Sequence, residues 1–347
     1  MKKTAFVLLT LALLMSFYAC GAQTPAPSGS NSPSAGTSSA QPASSPETPA
    51  SHYPVTITTY NYAKQPIQET FDKAPEKVFA VYQDSIETLL ALGLGDKIVA
   101  CAGLDQDVKP EYADAFSKVN YLTEFSPDKE SVVMMAPDFI LSWYSYFSDK
   151  KLGEVDYWQG KGVNTYMMLN SGCAPQETLE NEYTDILNLG KIFDVEEKAE
   201  VIVSEMKSEV SKVASEASKS AAKPSVLVME FEDDGIRVYG ENTLGGDMVK
   251  QLGANLVAAP DNHLSGEDLI AKNPDVIFTV YFGSSGSIAD AGAATAKLLD
   301  DPKYASLSAV KSGKVYAISL GEVYCSGTRT LDGIQRLAKG IYPELYK

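Results

Sequence analysis

The sequence predicts an α/β fold: two similar lobes, each built on a mostly parallel sheet, joined by one long helix, with a ligand cleft between them. Three observations predict it. From Tyr53 onward, short runs rich in Val, Ile, Phe and Tyr alternate with helical stretches, the order that yields sheets flanked by helices. Val195 to Lys223 holds neither Pro nor Gly, is rich in Glu, Lys, Ala and Ser, and carries Val201, Ile202, Met206, Val210 and Val213 at helical spacing. Finally, Glu130 through Tyr144 matches Glu267 through Tyr281, with Glu, Pro, Asp and Tyr recurring in register 137 residues apart.

In chain order, residues 1–19 carry Lys2 and Lys3, an apolar run from Ala5 to Met15, and Ala19 before Cys20, the three regions of a secretory signal peptide. The apolar run falls short of the roughly 20 residues a bilayer span needs. Residues 20–52 form a tether: 27 of the 33 are Pro, Ser, Ala, Thr or Gly and only Glu47 is charged, a composition that cannot bury a core. The first lobe is expected over 53–190, the connecting helix over 191–223 with Pro224 limiting its end, and the second lobe over 224–347. Expected strands of the first lobe are Val78–Tyr82, Ile98–Ala100, Phe139–Leu141 and Val163–Leu169. Those of the second are Val226–Met229, Ile236–Tyr239, Val276–Phe278 and Val315–Ile318.

The chain has 347 residues, 45 of them acidic and 29 basic, and 44% apolar composition, which allows one large or two medium domains. Its net charge of −16 becomes −18 without residues 1–19, whose only charges are Lys2 and Lys3. Such a surface repels phosphate backbones, so nucleic acid is excluded as a partner. Export exposes Cys101, Cys173 and Cys325 to oxidising conditions, where two of the three could pair. The cysteine spacing indicates no zinc site.

No enzyme chemistry is apparent. His52 falls at the end of the tether, which leaves His263 as the one histidine of the folded part, and there is no Gly-x-Ser-x-Gly elbow. Gly240 through Gly246 is glycine-rich but lacks the Lys-Ser/Thr of a phosphate loop. What remains is an aromatic and polar cleft beyond the carboxyl ends of the strands, where open α/β sheets bind ligands. Its candidate segments are Tyr82-Gln83-Asp84, Trp143-Tyr144-Ser145-Tyr146-Phe147, Tyr239 through Thr243, Tyr281-Phe282, and Tyr324 through Arg329. The tyrosines serve either as ligand-facing rings or as packing at strand ends. Arginine is scarce, with Arg237, Arg329 and Arg336 beside 26 lysines. Arg329 is thus either an anion contact or half of an ion pair near a helix start. Glu130 and Glu267 either stabilise a helix N-terminus through its dipole or mark equivalent functional points on the two lobes.

Several segments together resemble the siderophore-, haem- and cobalamin-binding lipoproteins of bacterial ABC importers, over about residues 70–345. They are Ala74-Pro75-Glu76-Lys77-Val78, Glu87 through Ile98, the two Pro-Asp strand entries, Leu252 through Val257, and Val310 through Tyr316. The resemblance implies a lipid anchor at Cys20 on the outer face of the cytoplasmic membrane, a small-molecule cargo, no catalysis and no resident cofactor. It implies a permease dimer with its ATPase as partner, whose arginines meet Glu130 and Glu267. Ferric siderophore is the expected cargo, held by Arg329 with Arg237 in reserve, and His263 and Tyr324 lie in loops roughly matching those that complete iron coordination in some catecholate binders. Haem would use Tyr82, Tyr144, Tyr281 or His263 as axial ligand, and cobalamin would rely on Trp143 and Trp158. The ligand-facing residues are therefore expected to be Tyr82, Trp143, Tyr144, Tyr146, Tyr239, His263, Tyr281, Tyr324 and Arg329.

Overall fold

A computed structural model describes residues 51–347, apart from 221, 234 and 283–287. The expected signal peptide, Cys20 and nearly all of the expected tether lie outside these residues. Twelve strands are described: β1 (Val55–Tyr60), β2 (Pro66–Phe71), β3 (Val78–Val81), β4 (Ile98–Ala102), β5 (Phe139–Ser142), β6 (Asn164–Met167), β7 (Ser225–Glu232), β8 (Gly235–Val238), β9 (Asn255–Leu256), β10 (His263–Leu264), β11 (Val276–Tyr281) and β12 (Val315–Ser319). Helices of seven residues or more are α1 (Gln83–Ala91), α2 (Lys129–Met135), α3 (Leu179–Ile192), α4 (Glu196–Ala217), α5 (Leu244–Gln251), α6 (Gly266–Lys272), α7 (Ile288–Leu299) and α8 (Thr330–Ile341).

The first lobe carries an all-parallel sheet in the order β4-β3-β5-β6. Its central strands, Val78–Val81 and Phe139–Ser142, are buried at every position, the signature of parallel strands covered on both faces. An antiparallel hairpin, β1–β2, precedes this sheet in the chain. It alternates buried and exposed residues along Val55–Tyr60, so its Thr-rich sequence belongs to the folded body rather than to the tether. The second lobe's sheet runs β10-β8-β7-β11-β12, with β9 also on β7. There β7, β11 and β12 are parallel, while β8 runs antiparallel to both its neighbours.

The 22-residue α4 connects the sheets and buries Ala199, Val203, Met206, Val213 and Ala217 on one stripe. Gly190 lets α3 approach it closely, since a Cβ there would stand 2.6 Å from the Ala199 methyl. The helix stops at Ala217, six residues before the expected end. Ser218 and Ser220 turn their hydroxyls onto the carbonyls of Ser215 and Ala222, local bonds that compete with helix continuation.

The repeat survives in three dimensions. Asp128 and Ser265 cap α2 and α6, each accepting from the backbone N–H three residues on. Ala136 and Asn273 end these helices in the left-handed conformation. Asp138 then accepts from the N–H groups of Glu76 and Lys77, and Asp275 from that of Ser225. Each aspartate pins the entry of its own strand to that of the neighbouring parallel strand.

Candidate functional site

The carboxyl ends of β3 and β5 and the segment after β12 converge, and the side chains that meet there come from both lobes. Tyr82, directly after β3, stacks on Trp143, directly after β5, with ring centroids 4.3 Å apart. Tyr324, from the second lobe, meets Trp143 edge-on at 5.5 Å. The hollow bordered by Trp143 and Tyr324 and by Gln83, Asp84, Asp105 and Leu320 measures only about 10 Å³, too small for anything larger than a water. Two non-glycine residues here have positive φ: Tyr82 at 77° and Cys325 at 42°. With ψ at 159°, Tyr82 occupies a region normally left to glycine, which costs on the order of 1–3 kcal/mol. It is held there by its N–H bond to the Ala102 carbonyl, 3.0 Å.

Beneath the rings lies a junction of buried acids. Asp84, 1% exposed, accepts from Trp143 Nε1 at 2.6 Å and from the Cys325 thiol at 3.2 Å. Burial pushes its carboxyl up to about 8, with the neighbouring Glu182 adding to the shift and the two donors opposing it. Glu182 of α3 accepts from the N–H groups of Ser326 and Gly327 and from Asn170, and burial raises its carboxyl too. Gly327 has φ +52°, and a Cβ on it would stand 2.6 Å from the Thr88 hydroxyl of α1. The lobes are therefore in van der Waals contact at this point.

Arg329 does not face open solvent. Its guanidinium pairs with Glu87 of α1 through two bonds of 2.6 and 2.7 Å and donates to the Asp107 carbonyl. The Glu87 side chain is 1% exposed, so of the two sequence readings the structure supplies the ion pair, here one that joins the lobes. Lys109 adds a second tie, to Asp332 at 2.7 Å.

The remaining candidates scatter. Tyr146 is fully buried, its hydroxyl donating to the Pro127 carbonyl, and it is a core residue rather than a cleft wall. Tyr239 is likewise buried, donating to Glu230 at 2.9 Å, with the Arg237 guanidinium over its ring. Tyr144 falls not at a strand end but in the 3₁₀ turn after β5. One face of its ring is covered by Tyr62 of the hairpin loop, 4.7 Å away. Tyr281 does end β11 and borders a hollow of about 390 Å³ with Glu230, Phe282 and Lys297. His263 sits on the edge strand β10, opposite Arg237, with its Nδ1 on the Asp261 carbonyl. Glu130 and Glu267 are both exposed and lie in the first turns of α2 and α6. The three described cysteines are buried free thiols, so no pairing among them is formed.

Sequence reading missed the acids that tie the site together, Glu87, Glu177 and Glu182. Glu177 donates its N–H to the Asn242 carbonyl across the lobes. Burial pushes its carboxyl up to about 7, with Arg237 opposing the shift. Their signal was weak, because an acid on a helix, like Glu87 and Glu182, or in a loop, like Glu177, reads as a solvated residue until its neighbours are known.

This chain is 27% identical over 284 residues to YvrC of Bacillus subtilis, an uncharacterized ABC transporter substrate-binding lipoprotein, covering 80% of this chain and 83% of the relative. It is 26% identical over 268 residues to the petrobactin-binding protein YclQ of the same organism, covering 74% of this chain and 78% of that one. A crystal structure of a periplasmic binding protein from Veillonella parvula matches with a TM-score of 0.78 at 34% identity, over 84% of this chain and 93% of that chain. The model of the periplasmic binding protein family matches residues 78–319, from the start of β3 to the end of β12, and the chain belongs to that family.

Proposed function

We propose that this protein is the extracytoplasmic solute receptor of an ABC importer, that it captures a ferric siderophore on the ring surface between its lobes, and that it hands the complex to a permease. The observation that carries this reading is the contact of Tyr82, Trp143 and Tyr324 across the lobes at the carboxyl ends of the sheets. Trp143 and Tyr324 keep part of their surface open, whereas Tyr82, expected to face the ligand, is 4% exposed and backs the Trp143 ring instead; partly open ring faces suit planar catecholate or macrocyclic ligands. Similarity to a petrobactin-binding protein and to an iron-uptake system-binding protein supports iron cargo, and Arg237, over the Tyr239 ring, offers a cation in the second lobe. No catalytic step is required, since capture and delivery are the function. The chain is read as exported and lipid-anchored at Cys20, in keeping with the lipoprotein relative, and no described helix is long and apolar enough to cross a membrane.

Titration with ferric catecholate and hydroxamate siderophores, haemin and cyanocobalamin tests the reading, followed by tryptophan fluorescence. Trp143 is partly exposed at the proposed site and Trp158 is buried, so saturable quenching by one iron complex, abolished in Trp143→Phe, is expected. A Soret shift with haemin alone moves the cargo to haem, and silence across the panel sinks the receptor reading. Glu130 and Glu267, at equivalent points on the two lobes, are read as the docking contacts for two permease subunits. Glu130→Ala with Glu267→Ala is expected to abolish uptake while leaving cargo affinity unchanged.

A further inference from the structure

At the corner between α3 and α4, far along the chain from the hairpin it adjoins, three metal-ligating side chains of different kinds converge: His52, Asp194 and Glu196. Their ligand atoms all lie within 4.8 Å of one another. The histidine is oriented by its other nitrogen, because Nε2 sits 2.8 Å from the Lys191 carbonyl. A carbonyl can only accept, so Nε2 carries the hydrogen and Nδ1 faces the two carboxylates. The Nδ1 nitrogen stands 3.4 Å from Asp194 Oδ1 and 3.4 Å from Glu196 Oε1.

Two acceptor oxygens aimed at a neutral imidazole lone pair repel it, and the arrangement is favourable only with a positive charge among the three atoms. The two nitrogen–oxygen distances are those between neighbouring ligands of a metal. Donors held about 2.0–2.2 Å from a tetrahedral Zn²⁺ stand about 3.4 Å apart. A metal-bound histidine, moreover, characteristically gives its second N–H to a backbone carbonyl, which fixes the tautomer, and the Lys191 carbonyl fills that role. The supporting shell is rigid as well. Tyr53 donates its hydroxyl to the Ile192 carbonyl at 2.8 Å, so His52 and Tyr53 together bond carbonyls of the last turn of α3. Asp194 is fixed at φ +55°, just before the first turn of α4, where Glu196 begins the helix.

We infer that His52, Asp194 and Glu196 form a binding site for a divalent transition-metal ion of the Zn²⁺ class, with one nitrogen and two oxygen ligands and a water completing the shell. The site is separate from the cargo cleft and independent of its assignment. A bound ion ties residue 52, where the tether sequence ends, to the corner from which the connecting helix departs.

The test uses the full chain in detergent, stripped of metal by chelation and titrated with Zn²⁺ against a chromophoric chelator, and with Co²⁺ for its visible spectrum. One equivalent of Zn²⁺ is expected, with the intense d–d absorption of four-coordinate Co²⁺. His52→Ala and Glu196→Gln are each expected to weaken binding at least tenfold, while His263→Ala leaves it unchanged. Folding of each variant is checked by circular dichroism. Absence of stoichiometric binding by the unaltered chain overturns the site and leaves the trio an ion pair around a protonated imidazole, and persistence of binding in folded His52→Ala overturns it by placing the metal elsewhere.

Discussion

The two helix–strand units at 128–144 and 265–281 share their N-caps, left-handed stops and aspartate clamps, yet the segments leaving their strands differ. After β5 the chain is given over to packing: Trp143 donates to buried Asp84, Tyr144 lies under Tyr62, and Tyr146 enters the core. After β11, Tyr281 and the 59% exposed Phe282 border a hollow of about 390 Å³. One lobe thus offers a wall whose rings are fixed from behind, while the other offers space. Equivalent backbones diverge in packing at the first residues past the strand, where side chains are free of the sheet's register.

That contrast can be broken at the acid that fixes the wall. Asp84 has a folded pKa of about 8 against an ordinary value of 3.8, so the folded state holds the proton between these limits and the unfolded state does not. Stability therefore falls as pH rises from about 4 to about 8 and levels above that. Glu177 and Asp105, which burial pushes to about 7 and about 6, contribute slopes of the same sign. The decisive quantity is the difference between the unaltered protein and Asp84→Asn, followed by urea denaturation from pH 4 to 9. The variant is expected to lose one group's slope, about 1.4 kcal/mol per pH unit, across pH 4 to 8, and an unchanged slope would mean that Asp84 is ionised in the fold.

A somewhat smaller effect distinguishes ion pairs between and within lobes. Glu87→Ala strands a guanidinium that is only 12% exposed and is expected to cost about 3–5 kcal/mol. Arg336→Ala removes the partner of Glu322 inside the second lobe, where the Arg336 side chain is 47% exposed. Water can take its place, and the expected cost is about 1–3 kcal/mol. Equal losses in denaturation midpoint would show that the junction is as wet as the flank.

The smallest test concerns the matched helix stops. Ala136 bears the left-handed strain with no compensation, and Ala136→Gly is expected to stabilise by about 1 kcal/mol. Asn273 tolerates the same conformation better, and its Oδ1 accepts from the Ser308 N–H at 2.7 Å. Asn273→Gly loses that bond and is expected to give no gain. Thermal melts of the two variants compare them directly.

Much of the architecture was legible because parallel strands buried on both faces read as plain apolar runs, and because a repeat carrying Pro-Asp at fixed spacing declares equivalent units. The hairpin β1–β2 escaped because its threonines blend with the tether. Its period-two burial, Ile57 and Thr59 inward and Thr56 and Thr58 outward, is a pattern of alternation rather than of hydrophobicity. At the site, Trp143 and the tyrosines stood out by residue type, but type alone does not separate the partly open Tyr324 from the buried Tyr82 and Tyr146. Arg329 stood out by rarity, whereas its partner Glu87 lies 242 residues away in sequence. Pairing across lobes is a tertiary property that no local pattern encodes.

The seating of Cys325 between the lobes has one further consequence. Its thiol is 3% exposed, raised well above the ordinary range by burial and by Asp84, and overlaid by the contact of Gly327 with Thr88. A thiol in that state is inert to alkylating reagents and becomes reactive only when the lobes part. Cys101 and Cys173, buried in the first lobe, keep their own rates. The alkylation rate of Cys325 therefore acts as a clock for opening of the contact between the lobes.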